Sequence, residues 1–123
     1  MKPIPSPAHA APGASLSDIV RSAASLSQIR RSDLAPGDWL AVKTSNSLYT
    51  IRVLGNEAYE IAGGWFSRTS AGTAVVRISG CTWGGSSIKT DIVAACGLRL
   101  EFGNRVRTSP IGTIVHVPFA RMN

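Results

Sequence analysis

A chain of 123 residues with 44% hydrophobic and 16% charged side chains has the composition of one globular domain rather than of a disordered segment, with roughly 90 residues available for a single core. No apolar run approaches the about 20 residues that a membrane-crossing helix needs. The net charge of +6, with a pI near 10.2 and ten of the thirteen cationic residues arginine, favours acidic partners, nucleic acid first among them, although no basic run exceeds Arg30-Arg31.

Residues 1–14 combine four prolines with alanine, serine and glycine, too few large side chains to order themselves by burial, and are expected to form a mobile tail. Prolines stand where a secretory signal would carry a continuous apolar segment, which argues for a cytoplasmic protein. In that compartment Cys81 and Cys96 are expected to stay reduced and to behave as small hydrophobes.

Residues 15–31 carry the pattern of one amphipathic helix. Ser15 and Asp18 have capping-box spacing, and Leu16, Ile19, Val20, Ala23, Leu26 and Ile29 recur at helical intervals. Arg30 and Arg31 would sit at its C-terminal carbonyls, where cations are favoured. Such a helix would plug one end of the domain or dock on a partner.

From residue 34 to residue 119 the signals are those of strands and turns. Pro36-Gly37-Asp38 opens a hairpin whose arms are Trp39 to Thr44 and Ser47 to Leu54, with Ser45-Asn46 at its tip. Tyr49, Ile51 and Val53 alternate with Thr50 and Arg52, so one face is apolar and the other wet. Gly55-Asn56 turns the chain into a third strand with Tyr59 and Ile61 inward. Gly63-Gly64-Trp65-Phe66 interrupts the pattern, and Ala74 to Cys81 reads as one strong strand.

Trp83-Gly84-Gly85-Ser86-Ser87 reads as a loop or sharp bend. Residues 88–97 are ambiguous between a short helix over 91–95, capped by Thr90 and ended by Gly97, and an irregular strand. Leu98, Leu100 and Phe102 alternate with Arg99 and Glu101, and after a Gly103-Asn104 turn Arg105 to Thr108 is expected to return as the partner strand. Ser109-Pro110 breaks it, and Ile111 to Val117 closes the series.

Short strands at intervals of about ten residues, joined mostly by tight turns, predict a mainly β domain: a small meander-type β-barrel or sandwich with one N-terminal helix. The layout is similar in general form to SH3-like barrels, through strand count and turn spacing alone.

Catalytic and metal chemistry finds little support. His9 lies in the expected tail and His116 in the last strand, and Cys81 and Cys96 are not spaced as a Cys-x-x-Cys pair, so neither a metal nor a cofactor is expected. A small hydrolase centred on Asp38, Ser86 or His116 can be imagined, but no Gly-x-Ser-x-Gly elbow surrounds a serine. The glycine pairs lack the spacing and lysine of a phosphate-binding loop.

What remains is a surface. Arg52, Arg77, Arg99, Arg105 and Arg107 should point outward and could gather on one face, presenting planar guanidinium forks to phosphate or carboxylate. Trp65, Phe66 and Trp83 lie beside glycines in loops, where an aromatic can anchor a protein contact or stack on a base. The first functional expectation is a non-catalytic binding or adaptor module that makes protein contacts, self-association included. The alternative is a nucleic-acid-binding barrel using the arginine face with the loop tryptophans.

Overall fold

Alternation decides where the main sheet forms. In the computed structural model, which describes residues 25–68, 72–84 and 87–119, strands β2 (Trp39–Thr44) and β3 (Leu48–Gly55) form the expected hairpin. Leu40 pairs with Ile51 and Val42 with Tyr49, and all four side chains are buried. Removing each such side chain from water contributes about 1.5–3 kcal/mol. A slip of one residue would turn the whole set outward.

Strand β4 (Ala58–Gly63) continues the meander with Tyr59 and Ile61 buried. A 3₁₀ helix, Gly64–Arg68, then leads towards β5 (Thr73–Val76). β9 (Ile111–Val117) returns beside β2, giving a five-stranded antiparallel sheet in the order β5-β4-β3-β2-β9.

Two small antiparallel pairs complete the core: β6 (Ile78–Thr82) with β8 (Arg99–Phe102), and β1 (Gln28–Arg30) with β7 (Ile92–Ala95). Their buried side chains, Ile29, Ile78, Val93, Leu100 and Phe102 among them, join those of the large sheet in one cluster. At its centre Phe66 meets Phe102 edge-to-face, with ring centroids 4.8 Å apart, and Tyr49 packs on both rings.

The arrangement corrects three expectations and decides between the alternatives of another. First, the sheets are open and do not close into a barrel. The stretch from Ala74 to Cys81 is two strands: β5 stays with β4, the chain leaves that sheet at Arg77, and β6 pairs with β8 instead. The register of β6 slips between Ile78 and Gly80, and Gly80 holds φ +143° where a Cβ would strike the Lys89 carbonyl. A local kink thus separates strands that would have to run on for closure.

Second, the part of the predicted helix that falls among the described residues is not helical. Gln28–Arg30 is strand and Arg31–Asp33 a single 3₁₀ turn. Ile29 is buried opposite Ala94 while Gln28 and Arg30 are exposed, a period of two that the longer helical rhythm masks. Backbone bonds from Cys96 N–H to Ser27 O and from Arg31 N–H to Asp91 O, both 2.9 Å, fix it as strand. Residues 15–24 of that helix, and the tail over 1–14, lie outside the described residues.

Third, the ambiguous stretch over 88–97 contains strand β7, the partner of β1. Fourth, Arg105 to Thr108 is not a strand. Arg105 sits at φ +71°, the Asn104 side chain accepts the Val106 N–H at 3.2 Å, and one isolated bridge joins Glu101 to Arg107. An Asx turn has outcompeted the sheet.

Candidate functional site

Three loops meet at one end of the molecule. The tip of the β2–β3 hairpin rests on the segment before β9: Ser45 N–H donates to Pro110 O and Asn46 N–H to Ser109 Oγ, each at 3.1 Å. That segment is tied to β8, because Thr108 Oγ1 accepts the Leu100 N–H at 3.1 Å and donates to Ser109 O at 2.7 Å.

The third loop begins at Trp83, directly after β6. The Gly84 N–H donates back to Thr82 Oγ1 at 3.1 Å, a turn closed by a hydroxyl, and Gly84 holds φ +115°, which strains any side-chain-bearing residue. Arg107 Nη1 donates to the Gly84 carbonyl at 3.2 Å, while its Nε donates to Glu101 Oε1 at 2.6 Å. Arg99, opposite Thr82 in the β6–β8 register, also approaches this loop, its Nε 3.8 Å from where a Cβ on Gly84 would stand.

Trp83 therefore stands next to Gly84, which two guanidinium groups approach. It is 73% exposed, the most exposed large apolar side chain of the described residues. Arg107 and Glu101 form an ion pair, whereas Arg99 donates to the Thr108 carbonyl at 3.4 Å and makes no ion pair among the described residues. The local balance is cationic.

The other sequence candidates lie elsewhere. Arg52 projects from β3 onto Glu60 of β4, its cross-strand neighbour, at 3.2 Å. Arg77 stands at the break between β5 and β6 with Glu57 at 3.6 Å. Arg105 is exposed in the turn after β8. Arg99 and Arg107 thus both approach Gly84, while Arg52 and Arg77 each answer a carboxylate.

Phe66 is corrected outright, being fully buried at the centre of the core. Of the Trp65-Phe66 pair, Phe66 is the ring within reach of Tyr49 and Phe102. Trp65 stays 43% exposed, edge-on to Phe66 with centroids 5.2 Å apart.

Two of the three residues imagined for a hydrolase do meet. His116 Nε2 and Asp38 Oδ2 are 2.8 Å apart, but Asp38 Oδ2 also accepts the Ala35 N–H at 3.0 Å and Oδ1 the Phe119 N–H at 2.9 Å. The carboxylate is fully engaged in joining the turn before β2 to the end of β9. Ser86 lies outside the described residues, and among those described no serine or cysteine hydrogen-bonds to His116.

Sequence reasoning missed Arg31. Its guanidinium gathers the Thr90 carbonyl from Nη2 at 2.6 Å and from Nε at 3.0 Å, the Ile78 carbonyl at 3.0 Å and the Tyr59 hydroxyl at 3.5 Å. It also lines an open cavity of about 540 Å³ with Arg30, Ser32 and Asp91. No local pattern signals this, since the partners lie 28 to 59 positions away. Among the described residues no His, Cys, Asp and Glu side chains cluster in threes around a possible metal, and no helix is long and apolar enough to cross a membrane.

No protein-family model matches the chain, and no curated protein and no solved structure matches it either.

Proposed function

We propose that this chain is a non-catalytic β module that captures a polyanion through the loop end built around Trp83. The observation that carries the reading is the 73% exposure of Trp83 next to Gly84, whose carbonyl accepts from Arg107 and beside which Arg99 lies. A solitary apolar side chain in water is ordinary on any protein surface. An exposed indole one residue from a position that two guanidinium groups approach is matched to something both flat and anionic. The net charge of +6 supports the same reading, because it draws anionic partners in from a distance.

Binding to a labelled heparin oligosaccharide, followed by anisotropy as salt is raised, tests it. Affinity should fall steeply with salt, since contacts to a polyanion release counterions. Arg99→Ala combined with Arg107→Ala should weaken binding. No binding at low salt, or binding indifferent to both substitutions, ends the reading.

A protein-contact module that self-associates is the second reading, favoured by Val75, which is 61% exposed on β5 at the end of its sheet. An edge strand with an apolar side chain turned outward is a common docking element. It predicts association that is nearly indifferent to salt and is lost in Val75→Lys.

A further inference from the structure

We infer that the polyanion is a single-stranded nucleic acid, one base of which stacks on Trp83 while its backbone lies against Arg99. This inference rests on the preceding reading and narrows it. Charge alone selects among polyanions weakly, because a duplex, a sulfated sugar chain and an acidic peptide all satisfy a guanidinium group. The indole discriminates. A duplex keeps its base faces stacked inside the helix, and sulfated sugars and acidic side chains offer no aromatic face, whereas an unpaired base does.

The geometry is suited to that use in three ways. Trp83 immediately precedes Gly84, the residue whose carbonyl accepts from Arg107 and beside which the Arg99 side chain lies, so guanidinium groups gather one residue from the indole's point of attachment. Gly84, next to Trp83 in this loop, is held on both sides of its backbone: its N–H by Thr82 Oγ1 and its carbonyl by Arg107. Beside this loop the rim over Ser45, Asn46 and Ser109 is polar and uncharged, the composition that meets base edges and sugar hydroxyls without repelling phosphate.

The test uses the full chain and fluorescein-labelled RNA and DNA strands of about 12 nucleotides, a length within the span of a small β domain, beside their duplexes and a heparin oligosaccharide. The single strands should bind more tightly than duplex or heparin. Trp83→Leu, which keeps apolar bulk without an aromatic face, should lower single-strand affinity about ten-fold or more and leave heparin affinity within about two-fold. Trp83→Phe should retain most of the single-strand affinity, which separates stacking from any loss of fold. Arg99→Ala should flatten the slope of log K against log salt on single strands by about 0.7.

If heparin and duplex bind as tightly as the single strands, or Trp83→Leu weakens all of them alike, the stacking inference fails while polyanion capture survives. If no probe binds at low salt, both fail together.

Discussion

Asp38 and His116, 78 positions apart, meet at 2.8 Å, and through this contact the turn before β2 is locked to the last strand. A carboxylate only 5% exposed is tolerated because every lone pair it turns inward has a donor. Asp38→Asn preserves the shape and removes the charge, and is expected to cost about 1–3 kcal/mol of stability at neutral pH, measured by urea unfolding.

The same carboxylate sets an acid dependence. Burial pushes the Asp38 carboxyl up, but the Phe119 N–H, His116 and the Ala35 N–H together more than offset this and hold it below its ordinary value of 3.8. A folded value below the unfolded one means that the stabilisation is complete above the unfolded value and is lost as pH falls through the folded value. Stability measured from about pH 6 down to about pH 2 should therefore decline more steeply in the natural chain than in Asp38→Asn. Parallel curves would show that Asp38 is not the linked group.

Arg31 should be the most sensitive surface-adjacent position. Arg31→Ala deprives the Thr90 and Ile78 carbonyls of their donor and unties β1 from the chain near β6 and β7. A loss of about 2–3 kcal/mol follows, and Arg31→Lys should recover only part of it, because a single ammonium cannot span the same forked set. Equal stability of all three proteins would mean that water replaces the guanidinium at no cost.

Two glycines separate strain from collision. Gly63 and Gly72 both hold positive φ, +93° and +74°, but a Cβ at Gly63 would strike the Leu48 carbonyl while one at Gly72 meets nothing within 4 Å. Gly72→Ala should cost about 1 kcal/mol from backbone conformation alone. Gly63→Ala should cost about 3 kcal/mol or more, since the hairpin backbone must move. Denaturant unfolding of the two variants side by side decides whether contact or conformation dominates.

The two thiols should react in order. Cys81 is fully buried, its Sγ donates to the Val93 carbonyl at 3.3 Å, and burial pushes its pKa up to about 11. At about pH 8 only about a thousandth of it is thiolate. A thiol reagent should modify Cys96, which is partly exposed, in the native protein, and Cys81 only on unfolding. Two equivalents consumed at once under native conditions would contradict the burial of Cys81.

Legibility in the sequence followed the length of each alternating run. Strands β2, β3, β4, β8 and β9 were readable because Tyr49, Ile51, Val53, Leu100 and Ile114 repeat at period two over several residues, and all are buried. β1 and β7 were harder, since each is three or four residues long and its identity as strand depends on the other: the segment read as helix pairs with the one left open between helix and strand. The kink at Arg77 was hidden because Val75, Val76 and Ile78 form one apolar run across it. At the candidate site, Trp83, Arg99 and Arg107 were nameable from their glycine and strand context. Their meeting over Gly84 was not, because it depends on an irregular return after β8 that local alternation disguised. The glycine pair before Trp65-Phe66 marks a bend without saying which ring turns inward.

The pairing of β1 with β7 and of β2 with β9 also sets a timetable. The β2–β3–β4 meander joins neighbours and can assemble as it leaves the ribosome, but the two outer pairings close loops of more than sixty residues. Such closures slow folding. Until the last strand emerges, the flank of β2 that awaits it stands open to other chains, and that interval is where a nascent copy is most vulnerable to aggregation.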